Sequence, residues 1–312
     1  MPKLLILSKQ ADEYRRLIVA ANLPKLELVS TSSVTEAVSS GAGCELLFGE
    51  PSLICEVLPM LTHLRWAQST WAGVEPLLDP SLRRDYTLTN ARGVFGELMS
   101  EYVFGYLLAH ERRIFERYQA QQERRWDASI TGMLRGKTVG LLGVGSIGAS
   151  LAGTAKHFRM SVRGYTRASE DCPDVDAYYH GDELLDFASG LDYMVGVLPN
   201  TTETRQIVDT NLLAALPSHA IFVNVGRGSA VNERDLVEAL EAGKIAGAVL
   251  DVFEQEPLPE NHPFWMTPNL LLTFHTSAPS LPADLANLFV ENYHRFINGE
   301  DLKYRVDFER GY

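Results

Sequence analysis

This 312-residue sequence is short of cysteine and of positive charge. Its three cysteines, Cys44, Cys55 and Cys172, lie far apart and lack the spacing of metal ligands, so we expect reduced thiols and no metal site. The 28 Lys and Arg residues are outnumbered by 40 Asp and Glu residues, and the formal net charge is −12. Because nonspecific nucleic-acid binding requires a basic surface, we expect no nucleic-acid partner.

Long apolar runs are also absent. No stretch approaches the roughly 18 apolar residues of a membrane span. The apolar part of Met1–Ser8 is too short for a signal peptide, and no small-residue cleavage site follows it. We therefore expect a cytoplasmic protein with no membrane partner. The chain is too long for one hydrophobic core of ordinary size, which predicts two domains.

The first third of the chain alternates short strands and helices. Strands are predicted at Lys3–Leu7, Leu26–Val29, Leu46–Phe48, Leu64–Ala67 and Tyr86–Thr89, and helices near Glu13–Ala21 and Val34–Ser40. This βαβ rhythm is typical of a parallel sheet covered by helices. The region contains no dinucleotide-binding fingerprint, so we expect a separate α/β unit with another role.

The next segment changes from apolar to charged. Residues from Gly96 to Ala109 predict a buried helix, whereas Arg112–Arg125 is highly charged. Ile114, Phe115 and Tyr118 keep helical spacing within the charged part. Two interpretations remain open: an arm that reaches a partner subunit, or a solvated helix face.

The most informative segment is Lys137–Gly148, where an apolar strand leads directly into a Gly-x-Gly-x-x-Gly turn. A helix is predicted at Ala149–His157 and a second apolar strand at Met160–Tyr165. In this context glycines let the backbone approach a pyrophosphate, which then lies at the helix N-terminus. A turn that only connects core elements is the alternative. The predicted cofactor-binding residues of this turn are Gly143, Gly145, Ser146, Ile147 and Gly148.

The residues after the second strand favour one form of the dinucleotide. NAD-binding domains usually place Asp or Glu about 20 residues after the glycines, where it binds the ribose 2′-hydroxyl. Here the first carboxylate is Glu170, and Thr166, Arg167 and Ser169 precede it. Arginine suits phosphate because it donates two parallel hydrogen bonds. We therefore expect Thr166 and Arg167 to bind a 2′-phosphate, with NADP(H) preferred and NAD(H) still possible. A solvated loop arginine is the alternative.

The remaining residues predict a complete doubly wound domain and a C-terminal helix. Further strands are predicted at Tyr193–Val197, Ile221–Val225, Ala246–Leu250 and Leu270–Phe274. Predicted helices include Glu233–Ala242, with Asn232 as N-cap and Gly243 after its end, and Pro282–Asn298, closed by Gly299. The segment Leu302–Asp307 is extended enough to pack back on the first unit.

Polar residues follow three of these strands, at the strand ends where ligands bind in open α/β sheets. The candidates are Arg227, Glu256 and His275. Arginine is a permanent cation suited to a substrate carboxylate, and histidine can exchange a proton with an alcohol or ketone oxygen. A glutamate bonded to that imidazole favours its charged form. Each residue also has a plain alternative: a surface charge, one more acid in an acidic turn, or a histidine at the core edge.

With these motifs the chain resembles the D-2-hydroxyacid dehydrogenases, and among them the glyoxylate/hydroxypyruvate reductases. The resemblance covers nearly the full length. The matching stretches are Gly143-Val-Gly-Ser-Ile-Gly148, Leu198-Pro-Asn-Thr-Thr-Glu-Thr-Arg205, Val223-Asn-Val-Gly-Arg-Gly228, Leu250-Asp-Val-Phe-Glu-Gln-Glu-Pro257 and Thr273-Phe-His-Thr-Ser277.

The resemblance implies an α/β fold of two doubly wound parallel-sheet domains. A Rossmann cofactor domain, residues 99–277, would be inserted into a flavodoxin-like substrate domain, residues 1–98 and 278–312. The catalytic set would fall on Arg227, Glu256 and His275. Substrate would bind at Arg227 and at a loop containing Trp71, Ala72 and Gly73. Further cofactor contacts would come from Leu198, Pro199, Thr202, Val225 and Gly226, and from Asp251 to the nicotinamide amide. A homodimer is also implied.

The expected activity is NAD(P)H-dependent reduction of a short 2-oxo acid to the D-2-hydroxy acid, with a proton from His275. Two departures concern the substrate. Phe274 stands where the family commonly has proline, and Trp71 occupies a position that is often small or aliphatic. The alternatives are phosphite oxidation on the same fold and a dinucleotide-sensing protein that resembles the C-terminal-binding-protein corepressors. Formate dehydrogenases pair the histidine with glutamine, so Glu256 argues against formate oxidation.

Overall fold

The computed structural model describes residues 1–167 and 169–311. The chain divides into two compact units, Met1–Val94 with Ser280–Tyr312, and Phe95–Pro279. Residues 95–98 and 278–279, which the sequence prediction assigned to the first domain, fall in the second unit. The reason is that a helix beginning at Gly96 packs its apolar face into the second core.

The strands and helices alternate along both units. The strands are β1 (Lys3–Leu7), β2 (Glu27–Thr31), β3 (Leu46–Gly49), β4 (Trp66–Ser69), β5 (Thr87–Thr89), β6 (Thr138–Leu142), β7 (Ser161–Tyr165), β8 (Ala177–Tyr179), β9 (Tyr193–Gly196), β10 (Ile221–Asn224), β11 (Gly247–Leu250) and β12 (Leu270–Leu272). The α-helices are α1 (Ala11–Ala20), α2 (Val34–Ser40), α3 (Pro51–Val57), α4 (Gly96–Glu111), α5 (Ile114–Gln122), α6 (Ser146–His157), α7 (Leu184–Ala188), α8 (Thr210–Ala215), α9 (Glu233–Glu241) and α10 (Pro282–Asn298). Short 3-10 turns lie at Leu58–Met60, Glu75–Leu78, Gly181–Glu183, Gly228–Ala230 and Pro263–Trp265.

The first unit contains a parallel sheet in the order β2-β1-β3-β4-β5. Its inner strands are buried on both faces, as expected when helices cover a parallel sheet. Helix α10 completes the unit: Phe289 stacks on Trp66 at 5.1 Å between ring centroids, and Asn292 Nδ2 donates to Gln68 Oε1 at 3.1 Å. The segment beyond it returns to β5, where Val306 N donates to Leu88 O.

The second unit contains a parallel sheet in the order β12-β11-β10-β9-β6-β7-β8. Strand order reverses between β6 and β9, and ligands bind at such switch points in open α/β sheets. The sheets confirm the two parallel α/β domains. Helix α3 and strand β8 were not predicted, because Pro51–Val57 is a short segment and Ala177–Tyr179 is a half-buried sheet edge.

The charged segment after α4 leaves apolar side chains in solvent. Helix α4 buries Val103, Phe104 and Leu107, and α5 starts after Arg113, whose φ of +52° turns the chain. Beyond α5, Trp126 is 94% exposed. Other large apolar side chains exposed here are Ile114, Phe115, Tyr118, Ile130 and Met133. Within the described part of the chain, no helix is both long enough and apolar enough to span a bilayer.

Candidate active site

The glycine turn between β6 and α6 has the geometry of a phosphate cradle. Gly143 has φ +109°, a conformation that side chains other than hydrogen rarely permit. A Cβ at Gly148 would collide with the carbonyl oxygen of Gly143, so the helix start lies directly against the turn. Helix α6 begins at Ser146, three residues earlier than predicted, and Gly145 precedes it. The first amides of an α-helix, here including that of Ile147, have no intrahelical acceptor and are available to an anion.

The loop after β7 carries the residues predicted to select the dinucleotide. Arg167 is exposed, and the Thr166 hydroxyl donates to Ser169 O at 2.8 Å. Hydrogen bonds from its own backbone and from Thr201 lower the pKa of Glu203, and the charge of Arg167 lowers it further. A carboxylate from the loop after β9 therefore lies within electrostatic range of the Arg167 guanidinium.

The loop after β9 lies against the end of β10. A Cβ at Gly226 would lie 2.8 Å from Leu198 N, which shows how closely the two backbones approach. The Thr204 hydroxyl donates to Pro199 O at 2.6 Å and closes the loop. Thr202 is exposed in the same loop. The side chain of the neighbouring Val225 belongs to the core, so the cofactor contact predicted there is available only through its backbone.

The structure brings His275 and Glu256 into direct contact. Imidazole Nδ1 lies 2.7 Å from Glu256 Oε2, and Glu256 Oε1 accepts the amide of Phe253 at 3.0 Å. An ionised carboxylate only accepts hydrogen bonds, so the Nδ1 atom carries the hydrogen and Nε2 is directed elsewhere. The His275 side chain is 56% exposed. This pair can deliver a proton from Nε2 to a bound oxygen.

Arg227 follows β10, which lies beside β11 in the sheet. Its Nη1 donates to Gly226 O at 2.8 Å, and the Asn224 amide donates to Arg227 O at 3.0 Å. A Cβ at Gly228 would collide with the Phe253 backbone, so the segments after β10 and β11 are in close contact. The three candidates therefore share one sheet edge, although the direct contact is between His275 and Glu256.

Asp251 organises the backbone that carries His275. Its carboxylate is fully buried and accepts hydrogen bonds from Thr273 Oγ1 at 2.5 Å, Thr276 N at 2.9 Å and Ser277 N at 3.0 Å. His275 N also donates to Asp251 O at 2.7 Å, which holds His275 at φ +55°. Burial raises the pKa of Asp251, but hydrogen bonds from Ser277, Thr273 and the amides outweigh burial and lower it. The predicted nicotinamide contact of Asp251 stays a prediction.

Tyr102 extends this network into helix α4. Its hydroxyl lies 2.7 Å from Thr273 Oγ1, and burial raises the pKa of Tyr102 well above its usual value. Because the Thr273 hydroxyl donates to Asp251, it accepts from Tyr102. Neither residue was identified from the sequence. Tyr102 lies in a segment that predicts a buried helix, and Thr273 lies in a segment that predicts a strand, so neither was assigned a polar role. A hydroxyl group within an otherwise apolar helix or strand is the sequence feature that could have identified them.

Phe274 and Trp265 form an aromatic pair beside the histidine segment. Their ring centroids are 5.9 Å apart with 33° between planes, and Phe274 is 60% exposed. Trp265 Nε1 donates to Pro259 O at 2.8 Å, which fixes the indole. Phe274, for which the resemblance leads us to expect proline, therefore has an aromatic neighbour.

In the first unit, the predicted substrate loop is held by two side chains that sequence reasoning did not single out. Trp71 N donates to Ser69 Oγ at 2.9 Å, and Ser69 Oγ donates to Trp71 O at 2.8 Å. Asn90 Nδ2 donates to Ala72 O at 2.9 Å. Trp71 is 43% exposed, whereas Ala72 and Gly73 are half-buried. Polar residues at the ends of β4 and β5 were the only sequence signal.

Comparison with known proteins identifies the family. The NAD-binding domain of the D-isomer specific 2-hydroxyacid dehydrogenases matches residues 104–277. Glyoxylate/hydroxypyruvate reductase A of Klebsiella pneumoniae is 36% identical over 218 residues, which cover 70% of this chain and 70% of that protein.

Two solved structures agree with this match over the full length. A D-isomer specific 2-hydroxyacid dehydrogenase family protein from Aeromonas salmonicida has a TM-score of 0.93 and 44% identity, covering 98% of this chain and 99% of that chain. An NADPH-dependent glyoxylate/hydroxypyruvate reductase from Sinorhizobium meliloti, solved with NADP and sulfate, has a TM-score of 0.88 and 27% identity and covers 100% of both chains. They confirm the predicted Rossmann domain inserted in a substrate-binding domain. The chain belongs to the D-isomer specific 2-hydroxyacid dehydrogenase family of NAD(P)-dependent oxidoreductases.

Proposed function

We propose that this protein reduces a short 2-oxo acid of the glyoxylate or hydroxypyruvate type to the D-2-hydroxy acid, with NADPH as the preferred reductant. The observation that carries the proposal is the His275–Glu256 pair at 2.7 Å, at the same sheet edge as Arg227 in an NAD-binding domain. The names of the Klebsiella and Sinorhizobium relatives support this substrate class.

The glycine turn fits the dinucleotide. A Cβ at Gly148 would collide with Gly143, and the first amides of α6 would donate to a phosphate bound at this helix N-terminus. Gly226 approaches Leu198 closely on the neighbouring strand ends, where a pyridine ring would be bordered by backbone. When bound, the reduced nicotinamide supplies the hydride.

The protein's own residues supply the proton and the orientation. Because Glu256 accepts from Nδ1, His275 presents Nε2 to the carbonyl oxygen, and a charged imidazole can release its proton there. Arg227 would bind the substrate carboxylate through its planar fork and stabilise charge that develops on the carbonyl oxygen. Asp251 and Thr273 keep the histidine segment in place, so the imidazole need not reorganise.

The preference for NADPH is supported by the loop after β7. Thr166 and Arg167 occupy the place where an NAD-binding domain usually has an acid, and a 2′-phosphate there would meet a guanidinium. The Sinorhizobium relative was solved with NADP. NADH remains a second, weaker reductant in this proposal.

Substrate binding in the first unit is proposed from the family resemblance. Trp71, Ala72 and Gly73 would receive the substrate carboxylate through backbone amides. Ser69 bonds to the backbone of Trp71, and Asn90 bonds to the backbone of Ala72, which supports a role that depends on fixed backbone geometry. The exposed indole of Trp71 supplies apolar surface beside those amides.

The test measures the oxidation of NADPH and of NADH in the presence of a panel of 2-oxo acids, monitored by the decrease in absorbance at 340 nm. We expect the largest kcat/KM with NADPH and glyoxylate or hydroxypyruvate. Absence of turnover with every acid, together with tight NADPH binding, would favour the dinucleotide-sensing alternative. Reduction of NADP by phosphite would favour the phosphite alternative. Either result contradicts the proposed reaction.

We further propose that the exposed apolar side chains around α5 pack against a second copy of the chain. Ile114, Phe115 and Tyr118 lie on one short helix, and Trp126 and Ile130 follow it, all more than half exposed. Such a cluster marks an interaction surface more often than free solvent. Sedimentation should give a dimer for the native chain and a monomer for a Phe115→Asp, Trp126→Asp variant. A native monomer would overturn the assignment.

A further inference from the structure

His180 contacts the loop after β7, which is proposed to select NADPH. It follows β8, the edge strand beside β7. Its Nδ1 atom lies 2.9 Å from Thr166 O and 3.2 Å from Thr166 Oγ1. Its Nε2 atom lies 2.8 Å from Glu170 Oε1. One imidazole therefore connects Thr166 to Glu170, the first carboxylate after β7.

The partners of the ring determine its charge. A carbonyl oxygen and an ionised carboxylate only accept hydrogen bonds, so each ring nitrogen facing one must carry a hydrogen. The Thr166 hydroxyl donates to Ser169 O, so it too can only accept from the ring. An imidazole with hydrogen on both nitrogens is a cation. The geometry therefore favours a charged His180 paired with Glu170.

We propose that His180 is a selectivity-determining cation of the dinucleotide site: it pairs with Glu170 and so lets Arg167 receive a 2′-phosphate. The inference rests on the proposed NADP(H) binding at Thr166 and Arg167. An acid at this place in a Rossmann domain binds the ribose 2′-hydroxyl of NAD and repels a 2′-phosphate. In this chain Thr166 and Arg167 occupy that place, and Glu170 is the first acid after them. An unpaired Glu170 carboxylate so close to Arg167 in sequence would repel a 2′-phosphate, and the contact with His180 both neutralises and holds it.

The effect depends on pH. Hydrogen bonds to Glu170 and to Thr166 O raise the pKa of His180, and the nearby charges of Glu170 and Glu183 raise it further. Glu183 also accepts the His180 amide at 2.8 Å, so both acids next to the ring favour its cationic form. A group with a raised pKa keeps its charge below that pKa and loses it as pH rises through it. The preference for NADPH should therefore decline at high pH.

Three variants separate charge from structure. His180→Gln removes the cation but keeps a donor, Glu170→Gln removes the acid, and the double variant removes both. For each, kcat/KM would be measured with NADPH and with NADH between pH 6 and 9. Exposed charge pairs are worth little, so we expect the NADPH/NADH ratio to fall by roughly 2- to 5-fold in His180→Gln. The ratio should be unchanged or raised in Glu170→Gln and close to native in the double variant.

The control is His219→Gln. His219 also pairs with an acid, Asp192, at 3.2 Å, but these two residues lie before β10 and β9, at the amino-terminal ends of the strands. Its removal should leave the ratio and its pH profile unchanged, whereas His180→Gln should flatten the profile. Thermal melts would show that each variant is folded.

Two results would overturn the proposal, and they are distinguishable. A native enzyme that prefers NADPH, with the same ratio and pH profile in His180→Gln, would overturn the role of His180 alone. A native enzyme that prefers NADH would overturn the proposed cofactor and, with it, the role of His180.

Discussion

Two segments that follow strands on opposite sides of the seven-stranded sheet, one after β12 and one after β7, are held in place in different ways. After β12, the segment that carries His275 is bound to a fully buried carboxylate, Asp251, by a hydroxyl and two amides. After β7, the loop that carries Arg167 is held at the surface by the pair of Glu170 and His180. The first segment depends on buried hydrogen bonds, and the second depends on exposed charges.

With the roles proposed above, this difference predicts that catalysis and cofactor choice can change independently. A hydrogen bond to a charged group contributes roughly 1.5–3 kcal/mol, whereas an exposed ion pair contributes about 0–1 kcal/mol. Substitutions in the segment after β12 should therefore alter rate and stability together. Substitutions in the segment after β7 should alter selectivity with little effect on folding.

The largest effect should come from His275→Gln. Glutamine can still donate to Glu256 but cannot release a proton, so kcat/KM should fall by about 10²–10⁴ with NADPH binding preserved. Steady-state rates and a fluorescence titration of NADPH would measure this. The matched control is His262→Gln, which removes another histidine–glutamate pair, with Glu233 at 3.1 Å, in the same unit. Equal losses in both variants would contradict a proton-donor role.

A charge reversal in the segment after β7 should produce the next largest effect. In Arg167→Asp, kcat/KM with NADPH should fall by roughly 10- to 100-fold, because charge-assisted hydrogen bonds to the 2′-phosphate become repulsion. The value with NADH should change less than about 3-fold, since an exposed charge is worth little without a phosphate. If both cofactors lose equally, Arg167 does not contact the 2′-phosphate.

Thr273→Val tests the buried network. Valine has the shape of threonine but cannot donate to Asp251 or accept from Tyr102. We expect the free energy of unfolding to fall by about 1.5–3 kcal/mol, measured by urea denaturation, and kcat to fall with it. The NADPH/NADH ratio should not change. Thr276→Val is the control, because Thr276 binds Asp251 through its backbone amide; similar losses in both variants would argue against the hydroxyl.

The smallest effect should come from Phe274→Ala. The ring contacts Trp265 but is mostly exposed, so the loss of stability should be about 0.5–1 kcal/mol. We expect kcat/KM for glyoxylate to change by about twofold or less, as at other surface positions. Rates with 2-oxo acids of increasing side-chain length would show whether the ring contributes to substrate choice. A large loss with glyoxylate would place Phe274 among the catalytic determinants.

Patterns local in sequence predicted much of this molecule. The bounds of α2 and α10 match the expected Val34–Ser40 and Pro282–Asn298, and Asn232 caps α9 as predicted, accepting from Asp235 N. The order of strands and polar residues also placed Arg227, Glu256 and His275 at one sheet edge. Periodicity, capping and strand ends are properties of short segments, so one sequence is enough to reveal them.

Features that depend on distant residues were not predicted. His180 could not be connected to Glu170, because β8 was not recognised and its pairing with β7 brings the two together. The link from Tyr102 to Thr273 joins residues 171 positions apart. The holding role of Asp251 was missed because motif resemblance assigns a residue to a ligand, whereas hydrogen bonds to its own chain appear only in the fold.

The discontinuous first unit has a consequence for synthesis on the ribosome. Trp66 is covered by Phe289, and Gln68 is bonded by Asn292, so part of the N-terminal core has no cover until α10 has been translated. At about 5–20 residues per second, the intervening roughly 190 residues take on the order of 10–40 s. During that interval the first unit exposes apolar surface of the kind that chaperones bind. The inserted unit, Phe95–Pro279, is translated over the same interval, so it is complete before α10 can close the first core.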